Sequence, residues 1–471
     1  MKRHVRAGLA ALLLLIGAPV SAQPPSPRPA QTPLAVGAAA ARDAALKDGT
    51  AMEIVTSLTR EVGARPTGSV AAVRARDWGL AKFRALGFQN VRAEPFTVTA
   101  WRRGAESAEI ISPTAQPLRI MAIARSISTP PGGLRAPVEV FDSYAALLAQ
   151  RPASLAGKIV LVNQKMVRTQ DGSGYGAINP ARTQGAVEAA RRGAIAYLVR
   201  SLSTDDGPAP HTGAMRYSTS VIEIPAASLS PPDADRIAEL ARRGQVVVRL
   251  NIAADTVGSV PAWNVVGEIP GTTDEVIVIG GHLDSWDVGT GAVDDAAGIA
   301  ITTAAARLVG QQPGQRRRTL RVVMFGAEEI DESSAAYVAA HPAEVPRMVI
   351  ASESDAGAGP VFAVRLPAGA AGKPEMAPLA GLLAPLKIFI AREAAVAAGA
   401  DTAGLVAMGV PVFNMRQDMS KYFDWHHSVD DTLDKINPDE LAQNVAAWAT
   451  MLYLVADSAV EFRAPRQEAR P

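Results

Sequence analysis

The chain has no cysteine among its 471 residues. Disulfides, thiolate nucleophiles and thiolate metal ligands are therefore excluded, and any metal must be held by His, Asp and Glu. Histidine is scarce as well, with six in all, at positions 4, 211, 282, 341, 426 and 427. No basic cluster exists: 47 Lys and Arg oppose 46 Asp and Glu, and the arginines are scattered. A nucleic-acid partner is thereby excluded. The apolar run from Leu9 to Val20 is shorter than the ~20 residues that span a bilayer. Lys2, Arg3 and Arg6 before it, and Val20-Ser21-Ala22 after it, make residues 1–22 read as a cleavable secretory signal. No Cys follows for a lipid anchor. The expected mature chain is secreted or periplasmic, has no membrane segment, and carries a formal charge of −2 in place of +1.

What is present describes a globular protein of two or three domains, 48% hydrophobic and 20% charged. Residues 23–38, rich in Pro, Ala and Gln, read as a disordered leader. Helical patterning covers 39–58 and 70–86, with Ser69 as a cap for the second helix, and 90–101 alternates as a strand. Between 105 and 255 the texture changes to short strands at 138–141, 158–163, 195–199, 222–225 and 246–250, with one helix at 183–192. This segment reads as a β-rich insertion that divides a catalytic domain into 39–104 and 256–460, with a flexible tail at 461–471. His211, in Pro210-His211-Thr212-Gly213, reads as a loop residue and not a ligand. Beyond Trp263, strands at 265–269, 276–279, 320–325, 348–351 and 412–415 alternate with helices at 299–308, 333–340, 382–398 and 438–456. The fold class is α/β: a mixed, mostly parallel sheet flanked by helices, with the insertion attached.

Acidic and histidine clusters fall at or near the ends of these strands. His282-Leu283-Asp284 closes one strand, and Asp294-Asp295 lies within the glycine-rich arc from Gly280 to Gly298. Glu328-Glu329 follows Phe325-Gly326-Ala327, Asp355 lies in a turn after 348–351, and His426-His427 with Asp430-Asp431 occupies a late loop. Taken singly, each pair has a plain structural reading, such as a helix cap for Asp294-Asp295. Taken together, loops at one rim of a sheet converge into one cavity of oxygen and nitrogen donors. Such a set suits two Zn²⁺ ions at ~3.5–4 Å that share one carboxylate.

The motifs Gly281-His282-Leu283-Asp284-Ser285-Trp286-Asp287-Val288-Gly289, Ala327-Glu328-Glu329, Glu353-Ser354-Asp355-Ala356-Gly357 and Tyr422-Phe423-Asp424-Trp425-His426-His427-Ser428-Val429-Asp430-Asp431-Thr432 resemble those of the family-28 zinc metallopeptidases. Within that family the chain is most similar to the plasma glutamate carboxypeptidase (carboxypeptidase Q) branch. The insertion takes part, since Thr183 to Ala190 and Pro210 to Gly213 resemble a protease-associated domain. The resemblance implies that His282 and Asp355 bind one zinc, that Glu329 and His427 bind the other, and that Asp294 bridges them. It implies Glu328 as general base, Asp284 as acceptor of a hydrogen bond from the far nitrogen of His282, and a cis peptide between Asp294 and Asp295. His426 stands where relatives often have a tyrosine near the reacting carbonyl, and is expected to stabilise the oxyanion. Asp401, in Gly399-Ala400-Asp401-Thr402, is the candidate for the substrate's amino group. Where the family has a glycine-rich turn, this chain has Ile330-Asp331-Glu332, an extra acid expected to bias the pocket against acidic substrates.

The implied activity is that of a dizinc exopeptidase acting on short peptides or dipeptides, with a dimer suggested by the resemblance. Two rivals share the scaffold: a single-zinc glutaminyl cyclotransferase and a non-catalytic binding protein. Whether the amino or the carboxyl end of the substrate is read is not set by these motifs.

Overall fold

The computed structural model describes residues 32–463, apart from 219 and 315. The expected signal at 1–22, the leader as far as 31 and the tail from 464 lie outside the described residues. Helix α1 (Pro33–Ala45) starts inside the stretch expected to be a disordered leader, which corrects that expectation for 33–38. Its cause is local: the hydroxyl of Thr32 accepts from the Ala35 N–H at 3.2 Å, and Pro33 fits the first turn. Ala35, Ala38, Ala41 and Ala45 then form a small-residue stripe that buries.

Helices α2 (Thr50–Ser57) and α3 (Val70–Ala85) follow, and Ser69 caps α3 through the Ala72 N–H at 3.1 Å. Strand β1 (Gln89–Ser112) is far longer than its alternating start suggests. It leads into β2 (Gln116–Leu118), β3 (Ile120–Ala122), β4 (Leu134–Phe141), α4 (Tyr144–Leu148) and β5 (Ile159–Val162). Next come α5 (Ser173–Thr183), α6 (Gly185–Arg191), β6 (Ala196–Arg200), β7 (Ala226–Leu229), α7 (Pro231–Ala241) and the equally long β8 (Val247–Ile269). The helix expected at 183–192 forms as α6, and α5 is an additional helix before it, separated by Gln184 at φ −126°. The strand expected at 222–225 lies instead at β7.

The remaining elements are β9 (Val276–His282), α8 (Ala297–Gln311), β10 (Thr319–Phe325), α9 (Ser333–Ala340), β11 (Met348–Glu353) and β12 (Val361–Arg365). They end with α10 (Leu379–Leu383), β13 (Phe389–Ile390), α11 (Ala403–Ala407), β14 (Asn414–Gln417) and α12 (Pro438–Asp457). The helix expected at 382–398 does not form. Pro385 has no N–H to continue α10, and Lys387 turns the chain at φ +61°, so that β13 can pair with β12. The expected tail is shorter too, because Phe462 is buried and Arg463 donates to the Met408 carbonyl at 3.0 Å.

One large sheet runs in the order β11-β9-β10-β8-β4-β5-β6-β7-β3, with β1 along β8 and β2 along β1. β9 is parallel to β10 and β11, and β4 through β7 are mutually parallel. β8 runs antiparallel to its neighbours, and β3 antiparallel to β7. Alternation sets the layers. In β9, Ile277 and Ile279 face the core under α1, α2, α8 and α12, while Val276 and Val278 face the opposite core with Phe325 and Tyr337. The same division recurs in β5, where Ile159 and Leu161 face one core and Val160 and Val162 another. Among the described residues no helix is long and apolar enough to cross a membrane.

Candidate metal centre

The parallel strands bring the chemistry together. β9 ends at His282, β10 ends beside it with Phe325 paired to His282, and β11 ends at Glu353, two residues before Asp355. Their C-terminal ends share a rim, where loops can supply converging side chains. Arg65, fully buried, threads the arc after β9 and donates to the carbonyls of Thr290 at 2.8 Å and Gly291 at 3.0 Å. Gly291 itself sits at φ +60°, where a Cβ would lie 2.6 Å from the Arg65 guanidinium. The Asp294–Asp295 peptide is cis. Asp295 turns inward, accepting the N–H of His282 at 3.1 Å and of Gly298 at 2.9 Å. Asp431 accepts the N–H groups of Val293 at 2.6 Å and Asp294 at 3.2 Å.

Asp294 thereby lies at the centre. Its Oδ1 is 2.9 Å from His282 Nε2 and its Oδ2 is 3.2 Å from His427 Nε2. Asp355 Oδ1 is 3.6 Å from His282 Nε2, and Glu329 Oε2 is 3.2 Å from His427 Nε2. Glu328 Oε2 stands back at 3.9 Å from His282 Nε2. His282, Asp294 and Asp355 form one group able to hold an ion, and Asp294, His426 and His427 form another. His426 stacks on His427 with ring centroids 3.5 Å apart, and its Nε2 is 3.7 Å from Asp294 Oδ2.

Burial sets the electrostatics. It lowers the proton affinity of His282, but hydrogen bonds with Asp294 and Asp355 outweigh it and hold this imidazole well above its ordinary range. Burial likewise opposes protonation of His427, yet Glu329 and Asp294 lift it to about 9. Burial raises Asp294, but its two histidines hold it well below the usual carboxylate range. Glu329 is pushed up to about 7 by burial and by the charge of Asp294. Glu328 is pushed well above its ordinary value by burial, and Asp355, Asp401 and Glu329 add to the shift. His426 falls well below its ordinary value through burial and the neighbouring His427. Asp294 Oδ2 and Glu329 Oε1 are buried without a hydrogen-bond partner. Buried, orphaned carboxylate oxygens facing imidazoles make a donor set that fits a zinc ion.

Two expected roles change. The carboxylate of Asp284 lies 3.8 Å from His282 Nδ1, and it is the main-chain carbonyl of Asp284 that meets this nitrogen, at 3.0 Å. The carboxylate is engaged elsewhere: Oδ1 accepts from the N–H of Ala327 at 2.8 Å and of Glu328 at 3.0 Å, and Oδ2 from the Thr67 hydroxyl at 2.8 Å. Asp401 does not line the cavity. It is buried behind Ala400, where Ser333 donates to it at 2.5 Å, and the charge of buried Glu353 adds to the desolvation that raises its proton affinity.

The cavity at the site, about 290 Å³, is lined on one side by Asp294, Glu328, Glu329, Asp355, His426 and His427, and on the other by Tyr175, Asn179, Arg182 and Arg216 from the chain between β1 and β8. Asp331 is not a free acid at its mouth, since Arg216 binds it at 2.9 Å. Arg168 holds Asp424 at 2.7 Å and 3.0 Å, docking the segment between β5 and α5 onto the loop of the paired histidines. Nothing in the local sequence marked Arg65, Arg168 or Arg182, because their partners are 200 residues or more away for most of these contacts.

A sheet with this rim and this donor set defines a metal-dependent hydrolase. Residues 264–452 match the model of peptidase family M28. Mouse (Mus musculus) carboxypeptidase Q is 36% identical over 408 residues, which cover 85% of this chain and 84% of that protein. The crystal structure of a peptidase M28 precursor from Shewanella amazonensis SB2B superposes with a TM-score of 0.88 at 43% identity, covering 92% of this chain and 99% of that one. A zinc aminopeptidase from Bacillus subtilis shares the fold, with a TM-score of 0.62, 18% identity, and coverage of 89% and 98%. The chain belongs to peptidase family M28.

Proposed function

We propose that this zinc metallo-exopeptidase holds two zinc ions and cleaves dipeptides and other short peptides outside the cytoplasm. The observation that supports it most is the position of Asp294, whose two oxygens face different histidines, at 2.9 Å and 3.2 Å. In this reading His282 and Asp355 would hold one ion, Glu329 and His427 the other, and Asp294 both. Zinc, when bound, supplies Lewis acidity toward the scissile carbonyl and lowers the pKa of water. Glu328 takes the proton of the attacking water and returns it to the leaving amine, a role suited to a carboxylate whose proton affinity burial has raised. Asp284 holds the main chain of Glu328 so that this carboxylate faces the cavity. His426, neutral in its buried setting, is the candidate donor to the oxyanion.

The insertion, read as a protease-associated domain, closes the other side of the cavity, and its 290 Å³ suits small substrates. Arg182 brings a guanidinium charge to that wall, which favours recognition of the substrate's free carboxyl end. The basic and apolar pattern of residues 1–22 supports export, and dimerisation is carried over from the family resemblance alone. The test is hydrolysis of free, N-acetylated and C-amidated dipeptides by the zinc-loaded chain. Cleavage that tolerates acetylation but not amidation is expected. Cleavage that tolerates amidation alone would make the enzyme an aminopeptidase, and loss with either block a strict dipeptidase. No cleavage at all, with one zinc per chain, would move the reading to a cyclotransferase.

A further inference from the structure

His427 adopts φ +62°, a left-handed conformation that a non-glycine residue takes only where its surroundings hold it. What holds it comes from the insertion. The N–H of Thr212 donates to the His427 carbonyl at 2.9 Å. The carbonyl of Thr212 lies 3.3 Å from His427 Nδ1, so one residue grips both the main chain and the ring. Arg182 Nη1 donates to the same carbonyl at 3.2 Å and lies 3.2 Å from Nδ1. A guanidinium can only donate. In the two-zinc reading Nε2 faces the ion, so Nδ1 would carry the proton and the Thr212 carbonyl would receive it alongside that of Arg182.

Thr212 is fixed in turn. Its hydroxyl donates to the Ala122 carbonyl at 2.9 Å and accepts from Arg103 Nη2 at 2.9 Å, so both of its capacities are used. Arg103 continues to Asp287, binding its two oxygens at 3.0 Å and 3.1 Å. Asp287 lies in the arc between His282 and Asp294. The chain of contacts therefore starts at one candidate zinc ligand, passes through the insertion, and returns beside the others. Thr212 is fully buried.

We propose that Thr212 is a positioning residue for the second zinc: its hydroxyl, tied to Ala122 and Arg103, fixes the main-chain grip on His427, so that the insertion completes the metal site. This rests on the two-zinc reading above. Partners behind a metal-binding histidine set ring orientation and ligand basicity, and their loss costs about 10–100-fold in metal affinity.

The experiment is zinc titration of the metal-free full chain against a competing chelator, for wild type, Thr212→Val and Thr212→Ser. Thr212→Val keeps the volume and removes the hydroxyl, and Thr212→Ser restores it. The expected result is two zinc affinities in wild type, of which Thr212→Val weakens one about 10–100-fold and leaves the other unchanged, with Thr212→Ser near wild type. In a His427→Ala background the same Val substitution is expected to change nothing further. Two unchanged affinities, or two that fall together, overturn the inference, as does a Ser variant that fails to recover. Should Thr212→Val not fold, Arg103→Lys, which keeps the charge but loses the fork, must weaken the same single affinity or the inference fails. A wild type that binds one ion defeats the two-zinc reading and this inference with it, and is seen before any substitution is made.

Discussion

The carboxylate of Asp284 accepts the main-chain N–H of Glu328 at 3.0 Å. An acid two residues after a candidate zinc ligand thus serves a different strand end, orienting the glutamate turn after β10. Asp284→Asn keeps one acceptor oxygen but weakens a charge-assisted pair of bonds. The expected outcome is a fall of about 10-fold in kcat at nearly unchanged KM, with zinc content intact. Steady-state kinetics with metal analysis checks it, and zinc loss would restore Asp284 to a role behind His282.

Glu328 Oε2 stands 3.9 Å from His282 Nε2, within reach of the site. Glu328→Gln is expected to lower kcat by about 10²–10⁴-fold, the range of a lost general base. Both zinc affinities should stay within a fewfold of wild type, as read by the same chelator competition.

His426 tests a competing assignment, since its ring falls with Asp294 and His427 in one potential ion-holding group. His426→Ala is expected to lower kcat by roughly 10–100-fold with full zinc content, as befits a lost oxyanion donor. A variant that binds one ion fewer would make His426 a ligand.

Gly298, at the start of α8, has no room for a side chain: an added Cβ would lie 1.8 Å from the main-chain oxygen of Ser354. Because that obstacle is backbone, it cannot rotate aside. Gly298→Ala is expected to cost about 1–3 kcal/mol in urea unfolding and to weaken zinc binding by displacing Asp355.

His211 supplies a pH dependence. Burial lowers its pKa from 6.5 to about 4, outweighing the carboxylates nearby. The folded state therefore binds fewer protons than the unfolded one between these values, so stability falls as pH drops from about 6.5 to about 4. The loss is on the order of 3 kcal/mol. His211→Gln should show a correspondingly flatter decline across that window in thermal melts, whatever the other acids contribute to both proteins.

Much of this was legible in the chain itself. β9, α8, β10, α9 and α12 carry unbroken apolar patterns, and all lie within a few residues of expectation. The gathering of these acids and histidines was legible because four of the five groups end or follow a strand and parallel strands leave little choice of rim, whereas the choice of ligands among them came from the family resemblance. What was not legible depends on distant partners. No periodicity shows that Asp284 finds Ala327 and Glu328, or that Asp401 turns to Ser333 and Glu353. The arginines that close the cavity look like surface residues until the insertion folds back. The stretch at 382–398 looked helical because it is rich in alanine and leucine, and Pro385 with the left-handed Lys387 decided otherwise.

β1 and β8 pair from Gln89 with Glu268 to Ser112 with Val247, so the edges expected for the insertion, near 105 and 255, fall inside one continuous ribbon. This has a consequence for biosynthesis. As the chain leaves the ribosome, β1 is complete long before its partner exists, and everything from β2 to α7 must emerge first. Until then β1 is an open strand edge of the kind that pairs with other chains. A nascent chain halted before residue 247 is accordingly the form most exposed to aggregation, and the candidate ligands from His282 to His427 all emerge only after β8.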